Sequence, residues 1–512
     1  MVPRALNWWG WGFQDARPNP RELAPTVIET LGFGSAEIEQ PAALESIQLP
    51  APRLASPFAT GKQERMRHAY GRSYLDTVRA FRGDFEHVPD AVAYALSESD
   101  VERVLEWAAS ANAAVIPYGG GTSVCGGIEP ALPAGFDGVV SLDLSRMDRV
   151  LEVDEVSRAA LIQAGPSGPR LEEQLAEHGM TMRFFPQSFE LATLGGMIAT
   201  RAGGHFATVW THIDDLVESV RAITPNGAWE SRRLPGSGAG PSPDRLLLGS
   251  EGILGVITEA WMRVQPRPTH RASRAVRFAS FMRGADAVRE LSQSGLHPAN
   301  CRLVDELEAK QTGVGDGGRA VLVLGFESTD HDIGSRLTRA LEICAGHGGE
   351  TDSLSEQGGS VSAWREAFLA MPYLRDVLLQ CGVMSDTFET AITWERFPAF
   401  HDAVLNATRE VLGEPCRVSC RFTHVYPDGP APYYTVLAPT RRGEELAQWQ
   451  EMKRAASAAI MACGGTITHH HAVGRDHRPW YEEQRPELFA DALRAAKGAL
   501  DPRGLLNPGV LV

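Results

Sequence analysis

The chain has 512 residues, 43% hydrophobic and 22% charged, with a formal net charge of -15. Length and composition fit a soluble globular protein of two or three domains. The acidic balance excludes a general attraction for nucleic acid or anionic lipid, so an anionic ligand would need a few placed arginines.

Residues 1 to 60 are rich in Pro, Gly and Trp, and "NWWGWGFQDARPNP" reads as an arm that packs its aromatics on the main body. No basic segment precedes an apolar run near the start, and no stretch is apolar enough to span a bilayer. A cytoplasmic protein is expected, with contact at a membrane surface left open. The seven cysteines include no CxxC pair, which fits a reducing compartment; Cys416 and Cys420, four apart, are a weak metal signal. No metal is expected.

From Val88 the pattern becomes regular. Ser99 and Glu102 read as the capping box of a helix whose apolar face is Val101, Val104, Leu105 and Ala108. "AAVIP" is a short strand running into "YGGGTS"; "VVSLDLS" and "AALIQAG" are further strands. "GPRLEEQLAEHG" is a helix stopped by Gly179, and "VESVRAITPNGAWES" a hairpin turning at Asn226-Gly227. "QPRPTHRAS" (265–273) marks a boundary. Beyond it, strand-like "RAVRFAS", a helix near Ala285 to Ser294, "AVLVLGFE" and helical "DIGSRLTRALEICAG" form a second α+β unit. Trp364 to Phe400 reads as mostly helical.

Three segments carry chemistry. In "IPYGGGTSVCGG" (Ile116 to Gly127), Gly119, Gly120 and Gly121 let the backbone approach a ligand and adopt positive φ. Their amides can converge on an anion, with Thr122 and Ser123 as further donors, and pyrophosphate is the natural guest. The loop is neither GxGxxG nor a Walker loop, which argues against Rossmann and ATP sites. "FPQSFELATLGGMIATRAGG" (Phe185 to Gly204) adds a second glycine pair, and "LLLGSEGILGVITEA" (Leu246 to Ala260) a third turn.

In this order the three segments resemble the FAD-binding domain of vanillyl-alcohol-oxidase-type (PCMH-type) flavoproteins. The resemblance implies an α+β fold, with FAD between two α+β subdomains. The loop neighbours are Tyr118 and Thr122 rather than a flavin-linking His, so non-covalent FAD is expected. The implied cofactor contacts are Pro117, Gly119, Gly120, Gly121, Thr122, Ser123, Pro186, Thr193, Gly195, Gly196, Thr200, Arg201, Gly203, Glu251, Gly255 and Ile257.

Over nearly its whole length the chain resembles the alkyldihydroxyacetonephosphate synthase family. The resemblance includes "WWGWGFQDA", "RHAYGRSYLDTVR", "NCRLVD", "YLRDVLLQCGVMSDTFETAITW", "CRFTHVYPDGPAPYYT" and "GGTITHHHAVGRDHRPW". It implies exchange of the acyl chain of acyl-dihydroxyacetone phosphate for a fatty alcohol, through a flavin N5 adduct and without net redox change. The implied layout is an arm and helical region (1–83), the FAD-binding domain (84–266), a substrate-binding cap (267–465) and a segment returning to the flavin (466–512). Tyr433 would move the proton on the reacting carbon, and His469, His470 and His471 would supply the base for the alcohol, with His470 favoured. On an extended segment at most two of the three imidazoles share a face. Arg375 would face the carboxylate of the leaving acid, with Arg302 supporting the substrate. A homodimer is implied by the resemblance alone.

Pro430, Pro432 and "HFATVWTH" (205–212) depart from the family pattern, and no peroxisomal targeting signal is visible. The alternative is an FAD-linked 2-hydroxyacid dehydrogenase or oxidase, whose relatives bind a divalent metal through a "GHxGDGNxH" segment and a later glutamate. Here only His424 matches the first segment, and "HHHAVG" has His in place of the glutamate. That ligand set is incomplete. A flavin-free scaffold is a third reading, opposed by the intact glycine loops.

Overall fold

The computed structural model describes residues 4–351 and 360–512, with the side chains of 360–369 left out of the description. The N-terminal arm packs as its composition implies. Trp9 is buried edge-on against Phe81, with ring centroids 5.0 Å apart, and the Trp11 amide donates to Asp376 at 2.8 Å.

The first half holds two sheets. A parallel three-stranded sheet runs Ala91–Tyr94, Gly138–Asp143, Ala113–Tyr118, with the all-buried middle strand that a covered parallel sheet requires. Helix Glu98–Ser110 buries Val101, Val104, Leu105 and Ala108 against it. Its cap is Ser97, whose hydroxyl accepts from the Asp100 amide. The expected Ser99–Glu102 box is therefore displaced by two residues, because Ser97 is the last residue with extended backbone. The second sheet is antiparallel, in the order Val150–Asp154, Ala159–Gln163, Val256–Arg263, Val217–Thr224, Gly227–Glu230. Thr224 pairs with Gly227, so the hairpin turns at Pro225-Asn226, and Gly227 opens the return strand with φ +125°.

The second half is one antiparallel seven-stranded sheet. Its order is Glu350–Thr351, His270–Phe278, Ala320–Ser328, Asn300–Val304, Arg417–Val425, Pro430–Pro439, Val383–Glu389. Helices Phe281–Gln293, Phe397–Leu412 and Glu445–Ala462 contribute to a core that includes Phe278, Leu303, Phe400, Phe422 and Tyr434. The stretch expected to be mostly helical contains a strand. Helix Ser360–Gln380 ends before Val383–Glu389, and helix Phe397–Leu412 follows. That strand is buried on both faces, so it shows none of the alternation that betrays a half-exposed strand. The fold class is α+β.

Candidate active site

A cavity of about 440 Å³ lies between the two halves. One wall is the loop that leaves the parallel sheet at Tyr118. The amides of Gly119 to Ser123 donate to no protein acceptor among the described residues, and these residues line the cavity. Five unspent donors on one concave loop fit a pyrophosphate. The loop is held close to its support: a Cβ on Gly120 would stand 1.9 Å from the Leu191 carbonyl oxygen, and Gly121 has φ +65°.

Pro117, Pro186, Thr193, Gly195, Gly196, Thr200, Gly203, Glu251, Gly255 and Ile257 line the same cavity. Arg201 does not. Its guanidinium instead pairs with Asp214 at 2.7 Å. The C-terminal stretch completes the wall: the Asn507 side chain donates to the carbonyls of Glu251 at 2.7 Å and Gly127 at 3.0 Å. Glu251 in turn accepts from the amides of Val473 and Gly474, both at 2.8 Å. Burial pushes its carboxyl up to about 7, against those two hydrogen bonds.

The seven-stranded sheet supplies the opposite wall through alternate residues of three strands: Ser385 and Thr387, Arg421 and Thr423, Tyr433 and Thr435. Tyr433 pairs in register with both Arg421 and Glu389. Its hydroxyl donates to Thr387 at 2.9 Å, and the Arg421 guanidinium lies 3.9 Å from its ring centroid. Burial raises the phenol pKa, and Arg421 opposes that rise. Arg421 is itself buried and bonded to Glu308 at 2.6 Å. Arg302 also lines the cavity; burial and then Arg421 lower its pKa to about 9.

The histidine loop is organised by one carboxylate. Glu389, 2% exposed, accepts from the amides of His469 (2.6 Å), His470 (3.2 Å) and His471 (2.9 Å) and from the Thr468 hydroxyl (2.5 Å). Burial opposes its ionisation, but the His471 and His469 rings and these donors outweigh it and lower its pKa. His470 and His471 line the cavity, with rings 6.1 and 5.5 Å from that of Tyr433; His469 turns away and meets the Tyr426 hydroxyl at 2.7 Å. Burial, and then the neighbouring imidazoles, hold His470 well below the usual histidine range.

Arg375 enters from helix Ser360–Gln380 and lines the cavity. One Nη donates to the Arg72 carbonyl, while its Nε and other Nη are buried without a partner among the described residues. Burial lowers its pKa. An arginine so placed is ready for an acceptor that the described residues do not supply. Glu389, Arg421 and Asn507 were missed as site residues in the sequence. The first two stood inside segments already singled out, "SDTFETA" and "CRFTH".

Residues 89–231 match the family model described as FAD binding domain, and residues 267–511 that described as FAD linked oxidases, C-terminal domain. Fold and site therefore define an FAD-dependent enzyme with a PCMH-type flavin domain. An alkyldihydroxyacetonephosphate synthase of Dictyostelium discoideum is 30% identical over 480 residues, 88% of this chain and 78% of that protein. One from Trypanosoma brucei brucei is 29% identical, over 91% of this chain and 82% of that protein. A solved alkyldihydroxyacetonephosphate synthase structure superposes with a TM-score of 0.83 at 25% identity, over 98% of this chain and 97% of the other. The chain belongs to the alkyldihydroxyacetonephosphate synthase family.

Proposed function

We propose that this enzyme exchanges the acyl chain of acyl-dihydroxyacetone phosphate for a fatty alcohol, forming an ether-lipid precursor without net redox change. The observation that carries the reading is that Tyr433, Arg375, His470 and His471 all face the cavity that the glycine loops line. FAD would be held non-covalently by Gly119 to Ser123, Gly195, Gly196 and Glu251, and when bound it supplies the nucleophilic ring nitrogen for the exchange.

The chain's own residues supply the rest. Tyr433, a neutral phenol under an arginine, moves the proton at the carbon beside the ketone. Arg375 presents the Nε and Nη that have no partner among the described residues to the carboxylate of the leaving acid. His470, kept neutral by burial, accepts the proton of the incoming alcohol. Arg302 and Arg375 place two guanidinium groups on the cavity wall within an acidic protein, while Arg421 is paired with Glu308.

The test is to incubate the FAD-loaded protein with acyl-dihydroxyacetone phosphate and labelled long-chain alcohol, without oxygen or electron acceptor. Labelled ether with an equal release of fatty acid is expected. No ether, with flavin bleached by a small 2-hydroxy acid instead, would overturn the reading in favour of a dehydrogenase.

Among the described residues no helix is long and apolar enough to cross a membrane.

A further inference from the structure

Three histidines from two distant parts of the chain meet beside the cavity. One ring nitrogen from each of His424, His469 and His470 lies within 4.8 Å of the other two. His424 reaches this place because of a β-bulge between Phe422 and His424. In a regular strand Arg421 and Thr423 would share the cavity face and residue 424 would point away. The extra residue turns His424 inward, so that it lines the cavity as well.

Hydrogen bonds anchor two of the three rings from outside the cluster. His424 Nε2 donates to the Gly204 carbonyl at 3.2 Å, which fixes the tautomer; its Nδ1 is buried and has no partner among the described residues. His469 Nε2 meets the Tyr426 hydroxyl at 2.7 Å, and its Nδ1 faces His470 Nδ1 at 3.0 Å. His424 and His469 are each anchored through Nε2, as metal ligands are by their supporting partners, and a metal ion would displace the proton that His469 and His470 share between their Nδ1 atoms. Ligand nitrogens around tetrahedral zinc stand about 3.3 Å apart, given Zn–N bonds of about 2.0–2.1 Å.

We propose that His424, His469 and His470 bind one divalent transition-metal ion, with Zn2+ the best fit to three neutral nitrogens. The fourth position opens to the cavity, since His424 and His470 both line it. An oxygen ligand there is acidified by the ion. In the metal-loaded protein the ion thus lowers the pKa of the alcohol it holds, and the alcohol's proton passes to His471, which also lines the cavity, in place of His470. That consequence rests on the proposed exchange; the metal site itself does not.

The test uses FAD-loaded full-length protein without an affinity tag, given Zn2+ alone and then dialysed against metal-free buffer. Elemental analysis should find one zinc per chain. Co2+ in its place should give ligand-field bands to the red of the flavin absorption. His424→Gln and His469→Gln should each weaken zinc binding roughly 100-fold, as even supporting partners of metal ligands are worth about 10–100-fold. His331→Gln, at an exposed histidine outside the site, should retain zinc fully. Retention no higher in the wild type than in His424→Gln, with flavin absorption equal in both, would overturn the proposal. Zinc bound at one equivalent but ether formation unchanged by its removal would uphold the site and reject its part in the exchange.

Discussion

Tyr433 has three neighbours that set how it handles a proton: the Thr387 hydroxyl at its oxygen, Arg421 over its ring and His470 stacked beside it. Tyr433→Phe keeps the ring and removes only the transferable proton. It should lower ether formation by roughly 10²–10⁴-fold, the usual worth of a positioned acid or base, and leave FAD binding unchanged by absorbance. Arg375→Lys keeps the charge but loses the planar fork, so KM for the acyl substrate should rise by about tenfold or more in steady-state assays. Residues that sit in a distinctive run were legible in the sequence: Tyr433 after "YPDG", the histidines as a triplet, the glycines as a loop. Arg421 and Glu389 were not, though both are register partners of Tyr433. A lone arginine or glutamate in a strand has no spacing signal. Its importance comes from what lies across the sheet, and pairing between strands far apart in sequence is not written in either one.

Whole elements depend on single contacts. The segment Thr468 to His471 is held by one carboxylate on the strand Val383–Glu389. Glu389→Gln removes the charge and one acceptor oxygen, leaving loop amides unpaired. Turnover should fall about 10²-fold, the cost of misplacing a reacting group by about 1 Å, while FAD stays bound; parallel kcat and flavin-absorbance measurements check this. The glycine loop should behave in the opposite sense. In Gly120→Ala the new Cβ would collide with the Leu191 carbonyl, so the loop must move away from its support. This variant should be purified largely without flavin, read as the ratio of flavin to protein absorbance. Most elements of the first half were legible because helices there are amphipathic and turns carry glycine. The strand Val383–Glu389 was not, since burial on both faces removes the alternating pattern. The bulge that turns His424 inward left no mark in the sequence either, because it is a property of two strands pairing out of step.

At the scale of the molecule, burial of acids gives an unusual pH dependence. Burial, and then the neighbouring Asp76, push the Asp476 carboxyl up to about 7, and one of its oxygens has no partner among the described residues. Between the unfolded value near 4 and the folded value, the folded chain holds a proton that the unfolded chain has lost. Its contribution to stability is therefore full at low pH and falls as pH rises through that window. Asp476→Asn should raise the unfolding midpoint at about pH 8 and change it little at about pH 4, with a difference on the order of 1–4 kcal/mol by denaturant titration at fixed FAD. The cavity also joins the two ends of the chain. Trp11 and Asn507 both line it, and Asn507 ties the glycine-loop region to the turn at Glu251. The flavin pocket is thus held by bonds between residues 380 and 256 positions apart in the sequence. Such a clasp forms only once its distant halves have met, so flavin retention reports the docking of residues near 507 on the glycine-loop region and not the folding of that loop alone.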